Sequence, residues 1–147
     1  MPFVEASIVV KGDKKAVYEL AKNMEQFPQF MPDVERVEVV QRAEKSTVTE
    51  WAANIDGAPI NWRERDEFDD DEPSIKYKLI EGDLDKFEGV WTFSEVPEGT
   101  CVGLTVEYDL GISEFEELIG PILREKVLGN AQKMLEAIKE KIESSRL

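Results

Sequence analysis

The chain contains no histidine and a single cysteine, Cys101. Without imidazole, Ser-His-Asp and Cys-His nucleophile systems are excluded. Ordinary zinc and non-haem iron sites, whose ligand sets lean on histidine, are excluded too. One cysteine cannot form an internal disulfide, which favours a reducing compartment. No run approaches the roughly 20 apolar residues that a bilayer span requires. The start, Met1-Pro2-Phe3-Val4-Glu5, lacks the basic and apolar regions of a secretory signal, so a cytoplasmic protein is expected. Basic residues are also scarce: 18 Lys and Arg stand against 32 Asp and Glu, a net charge of −14. Such a surface repels phosphate backbones and anionic headgroups, so neither nucleic acid nor a membrane surface is an expected partner. Any catalysis would have to run on Asp, Glu, Lys, Arg or Tyr.

What is present suits one ordinary domain. A chain of 147 residues with 41% hydrophobic residues buries enough surface to fold without metal or disulfide staples. Residues 3–10 read as a strand. Gly12-Asp13 opens a helix carrying Val17, Leu20, Ala21 and Met24 on one face. The stretch Phe27-Pro28-Gln29-Phe30-Met31-Pro32 can hold only a short helical turn, because its prolines interrupt hydrogen bonding. Strands follow at 34–41, 47–55, 59–68, 74–81, 86–94 and 100–109. Asp56-Gly57, the acidic tip 69–72, Gly82-Asp83 and Pro97-Glu98-Gly99 separate them, the pattern of an antiparallel meander. The acidic tip does not have calcium-loop spacing and reads as a solvated turn. Residues 114–145 form a long helix, kinked or restarted at Gly120-Pro121. Leu123, Val127, Leu128, Ala131, Met134, Leu135, Ile138 and Ile142 make its apolar stripe. The result is an α+β chain: a curved seven-stranded antiparallel sheet wrapped around a long C-terminal helix, with two short helices after the first strand. One helix cannot fill such a sheet, so a cavity is expected between them.

This order of elements resembles the START-like, polyketide cyclase/dehydrase and coenzyme Q-binding superfamily with its helix-grip fold. Three local motifs carry the resemblance: the segment 27–32, Trp62 ahead of the acidic turn, and Phe87-Glu88-Gly89-Val90-Trp91-Thr92-Phe93. The resemblance covers nearly the whole chain. It implies binding of lipids, quinones, hormones or polyketides, with enzymes only among some members, since fold alone does not fix function.

Strand alternation sorts the candidate site residues by face. Phe87, Gly89, Trp91 and Phe93 share the inward face of one strand. Val102, Leu104, Val106 and Tyr108 share that of the next, with Ile75, Tyr77 and Leu79 on a third. Thr49, Trp51, Ala53 and Ile55 face inward from a fourth. Putting Trp62 and Phe68 inward also puts Glu64 and Asp66 inward and sends Arg63 and Arg65 to solvent. Pairing through the turns sets Trp51 opposite Trp62, Thr49 opposite Glu64, and Asp66 near Tyr77. A bulge between Trp62 and Phe68 would instead turn the carboxylates outward. Inward carboxylates need partners, water or a polar ligand group, because isolated ones are costly to bury. Trp51, Trp62 and Trp91 serve either as core or as a ligand platform. Arg124, on the helix stripe, either snorkels to solvent or faces Glu64 as a cation at the cavity mouth. Asn130 is either a solvated rim residue or an amide that bonds a ligand oxygen.

The expected ligand-binding set is therefore Trp51, Trp62, Glu64, Asp66, Tyr77, Phe87, Gly89, Trp91, Tyr108, Arg124, Val127, Asn130 and Met134. Gly89, lacking a side chain, is where a bulky substitution should block the cavity. At least one of Glu64 and Asp66 is expected to titrate high, with Arg124 as the compensating cation. The leading expectation is a carrier of a hydrophobic small molecule or lipid, without cofactor or metal and with an oligomeric state left open. The alternative is a polyketide aromatase/cyclase or dehydratase using Glu64, Asp66 and Tyr77. The resemblance implies an inward arginine on the strand 59–68 of such enzymes, and the outward parity of Arg63 and Arg65 argues against cyclase activity. A ribosome-associated role is opposed by the negative charge.

Overall fold

The computed structural model describes residues 3–55, 57–109 and 116–144. The strands are β1 (Phe3–Val10), β2 (Val34–Ala43), β3 (Ser46–Ile55), β4 (Ala58–Asp69), β5 (Ser74–Gly82), β6 (Lys86–Val96) and β7 (Gly99–Asp109). After β1 come α1 (Lys14–Lys22), a single 3-10 turn (Met24–Gln26) and α2 (Phe27–Phe30); α3 (Glu116–Ser144) follows β7. All seven strands form one antiparallel sheet in the order β1-β7-β6-β5-β4-β3-β2, so the meander β2 to β7 is closed against β1 at its far end. This is the helix-grip arrangement expected from the sequence.

Local chemistry explains the connections. Ile55 pairs with Ala58 across the β3–β4 turn. Gly57 there has φ +89°, open to glycine without steric cost, and its N–H donates to Asn54 Oδ1 at 2.7 Å. The other half of that turn, Asp56, lies outside the described residues, as do 114, 115 and 145 at the expected ends of α3. The helix runs without a break across Gly120-Pro121, so the expected restart there does not occur. The acidic tip is anchored rather than free: the Tyr18 hydroxyl donates to Asp70 Oδ1 at 2.7 Å and Lys22 pairs with the same oxygen at 3.0 Å.

The core lies between the sheet's inner face and the helices. Val102, Leu104, Val106 and Tyr108 alternate inward along β7, and Ile75 and Tyr77 do so on β5. Across from them α3 buries Ala131, Leu135 and Ile138, and α1 buries Val17, Tyr18 and Ala21. Phe27 is fully buried, its ring edge-on to Trp51 at 5.8 Å and 6.4 Å from Trp91. Burying such a ring contributes about 2–3 kcal/mol. Pro28 sits in the first turn of α2, where its missing N–H costs nothing, so the segment 27–32 works as a plug against the sheet.

Candidate functional site

The register of β4 decides the site. Trp51 pairs with Trp62, Thr49 with Glu64, and Asp66 with Tyr77, as alternation predicts. The one irregularity between β4 and β5 falls on the β5 side, between Leu79 and Glu81, and leaves Ile80 half-exposed. β4 itself keeps its period, so the bulge that would have turned its carboxylates outward is not there. Glu64 is 3% exposed and Asp66 0%.

The two carboxyls sit in a hydrogen-bonded chain between two stacked indoles. Trp51 and Trp62 lie face to face, 5.4 Å between centroids with planes 10° apart. Trp51 Nε1 donates to Thr49 Oγ1 at 2.8 Å, and Thr49 Oγ1 donates to Asp66 Oδ2 at 2.7 Å. Thr47 Oγ1 donates to the same oxygen at 3.2 Å. At the other end Trp62 Nε1 donates to Glu64 Oε1 at 2.8 Å. Glu64 and Asp66 act on each other's titration, and Asp66 Oδ1 is buried without a hydrogen-bond partner. Burial and the neighbouring Asp66 push the Glu64 carboxyl well above the usual range. Burial raises Asp66 as well, opposed by its interaction with Glu64 and by the hydrogen bonds it accepts from Thr49 and Thr47. Both carboxyls are therefore pushed upward, Glu64 the more strongly.

Tyr77 has a different commitment. Its hydroxyl donates to the Thr105 carbonyl at 2.6 Å, over Gly89, where a Cβ would stand 1.9 Å from that carbonyl oxygen. The β6–β7 ladder opens at this point, and Val90 N–H donates instead to Thr105 Oγ1 at 3.0 Å. Burial above all drives the Tyr77 hydroxyl far up, so it stays a neutral phenol.

Between these groups and α3 lies a cavity of about 50 Å³. Its sheet wall includes Val34, Trp51, Ala53, Trp62, Glu64, Tyr77, Phe87, Trp91, Leu104 and Val106; α3 adds Val127, Asn130, Ala131 and Met134. Thus Trp51, Trp62, Glu64, Tyr77, Phe87, Trp91, Val127, Asn130 and Met134 of the expected set come together on one space. The space is far narrower than expected. Small-molecule sites commonly measure about 300–1,000 Å³. Here Phe87 packs on Trp62 at 5.3 Å and on Tyr77 at 5.5 Å, and these rings fill the room the curved sheet creates.

Four expected residues do not line it. Asp66 lies behind Glu64, turned to the threonines. Tyr108 is buried in the core, its hydroxyl raised by desolvation with Arg124 opposing. Arg124 is exposed and its Nη1 donates to the Phe3 carbonyl at 2.7 Å. It neither faces Glu64 nor compensates the pair, because its long stem reaches to the β1 edge instead. Gly89 borders a groove on the sheet's outer face with Tyr77, Val90 and Thr105, so its bare backbone serves the Tyr77–Thr105 contact rather than a ligand. The lining residues Val34, Ala53, Leu104, Val106 and Ala131 were not in the expected set, although strand parity pointed Ala53, Leu104 and Val106 inward and the helix stripe did the same for Ala131. Asn130 directs its amide at the Met134 sulfur, 3.9 Å away. Among the described residues no group of His, Cys, Asp or Glu is arranged to hold a metal ion, and no helix is long and apolar enough to cross a membrane.

Residues 10–138 match the family model described as polyketide cyclase / dehydrase and lipid transport. The chain belongs to that family. Among solved structures it is similar to TTHA0849 from Thermus thermophilus, at 32% identity and a TM-score of 0.94, with 99% of this chain and 100% of that one covered. It is also similar to the Zhui aromatase/cyclase from Streptomyces sp. R1128, at 18% identity and a TM-score of 0.89 over 99% and 96% of the two chains. A START superfamily protein from Mycobacterium smegmatis aligns at 16% identity and a TM-score of 0.81 over 97% and 98%. At these lower identities the likeness establishes the helix-grip fold alone. No curated protein matches the sequence.

Proposed function

We propose that this family member works as one START-like domain of the cytoplasm that binds a hydrophobic small molecule or lipid, of polyketide, quinone or similar character. The cavity under α3 is its site, and it uses neither metal nor cofactor. One observation carries this reading: Trp51, Trp62, Phe87 and Trp91 border a space whose single ionisable wall group of the carboxyl type is Glu64. An apolar wall with one convergent polar group is the usual make-up of a small-molecule site. Entry of a ligand larger than a few waters requires the rings or α3 to move. The test is titration with an apolar dye, read by quenching of tryptophan emission. Val127→Trp, at the α3 side of the cavity, should weaken dye binding at least about tenfold while the circular dichroism spectrum is kept. Equal dye affinity in that variant would sink the reading.

A second reading, turnover of a polyketide as an aromatase/cyclase or dehydratase, has one observation in its favour. A carboxyl that keeps its proton in an apolar cavity is the form of a general acid. Glu64 fills that role; Tyr77 does not, since its proton is committed to Thr105. Incubation with a poly-β-ketone thioester should then yield ring-closed product, reduced at least about a hundredfold by Glu64→Gln. Absence of product in the native protein would remove this reading and leave the first intact.

A further inference from the structure

We infer that the cavity selects an uncharged, ring-bearing ligand with a hydrogen-bond donor, a phenol in chemical class, and excludes ligands whose head group is a carboxylate. This rests on the binding reading above and adds to it the ligand's chemistry. The argument is a count of oxygens and charges. Asp66 Oδ2 accepts from Thr47 and Thr49, and Glu64 Oε1 accepts from Trp62. Asp66 Oδ1 is buried and meets no donor from any group with a fixed hydrogen. A proton on Glu64 supplies that donor, and one proton is all the pair needs. The pair then carries a single negative charge beside the cavity.

The arginines nearest to it in the chain and on the helix stripe are engaged elsewhere. Arg63 is drawn to the outer face by Glu50 and Glu81, and Arg65 by Glu67. Arg124 is spent on the Phe3 carbonyl. On the helix wall, Asn130 offers only its amide, already turned to Met134. A carboxylate brought into this space would meet a like charge among aromatic rings, where repulsion is stronger than in bulk water. A hydroxyl meets the opposite situation. It can donate to the lone pairs that Glu64 keeps, while its ring lies against Trp62 and Phe87. The resting space of about 50 Å³ is smaller than one aromatic ring, so a ring enters by displacing Phe87 or α3, and each added ring or chain demands more of that movement.

Three probes with one scaffold separate the possibilities: 4-ethylphenol, ethylbenzene and 4-ethylbenzoate, titrated at pH 7 and read by the indole N–H signals in protein NMR. The phenol should bind several-fold tighter than ethylbenzene, and the benzoate at least about tenfold more weakly than the phenol. In the isosteric Glu64→Gln/Asp66→Asn double variant, whose amides can bond each other without charge, the benzoate should recover at least about fivefold. Equal binding of the phenol and the benzoate, or a gap unchanged in the double variant, overturns the inference while leaving the binding reading in place. If none of the three binds, the binding reading falls and the inference falls with it. Circular dichroism of the double variant establishes that it is folded. Should it not fold, the native protein's ranking of the three probes decides alone.

Discussion

Replacing Glu64 by Gln should stabilise the protein at neutral pH, by an amount that grows as pH rises. Gln is the shape of the protonated acid. Its carbonyl can accept from Trp62, and its amide would give a donor to Asp66 Oδ1, the buried oxygen that has no partner. In the native protein Glu64 keeps a proton that the unfolded chain releases near pH 4, because burial and Asp66 raise it. A carboxyl raised in the folded state contributes most at acid pH. That contribution is lost as pH climbs from the unfolded value toward the folded one, because only the folded state then binds the proton. Each pH unit in that window costs the native fold about 1.4 kcal/mol for one retained proton. The penalty grows with pH for as long as the folded protein keeps that proton, and the Glu64→Gln variant does not incur it. Apart from Asp66, which is coupled to Glu64, the other carboxylates are common to both proteins and cancel in the difference. The measurement is urea unfolding at pH 5, 6 and 7, followed by far-ultraviolet circular dichroism to avoid the neighbouring indoles. The variant should gain on the native protein by roughly one kcal/mol or more per unit. A difference that stays flat with pH, or a variant less stable at pH 7 than at pH 5 relative to the native chain, would refute the shared-proton account.

Two further outcomes test the corrections the structure makes. Gly89→Ala should lower stability by about 2–4 kcal/mol in chemical unfolding, since its Cβ must displace the Thr105 carbonyl or the Tyr77 hydroxyl; a change within about 0.5 kcal/mol would mean the strands part freely there. Arg124→Ala should leave dye affinity within about twofold and stability within about 1 kcal/mol, because the side chain is exposed and its bond is to the β1 backbone; a large loss of affinity would return Arg124 to the cavity.

The architecture was readable from the chain because its signals are local. Alternation along 59–68 put Trp62, Glu64, Asp66 and Phe68 on one face, and the turn before Ala58 set the register that brings Trp51 to Trp62. A two-residue turn leaves little choice of register, so these pairings follow from counting. The stripe on α3 likewise named Ala131, Leu135 and Ile138 as inward residues, and they are buried. Gly89 and Arg124 were misread for a common reason. Parity and stripe position say which face a residue belongs to, but not what stands across from it. A glycine on an inward face looks like room for a ligand until the Tyr77 hydroxyl is seen crossing it to Thr105. A long arginine on an apolar stripe looks inward until its stem is followed to the Phe3 carbonyl.

The sequence by itself determined the order of strands, the faces of their side chains, the covering helix, and the exclusion of imidazole chemistry. Each depends on residue type and short-range spacing. Only the tertiary structure decided how large the cavity is, which of two carboxyls touches it, and that Arg63, Arg65 and Arg124 bond elsewhere. Those are distances between groups far apart in the chain, set by how Phe27, Phe87 and the stacked indoles pack together under α3. Packing of that kind depends on many side chains settling at once, so the periodicity of no single element contains it.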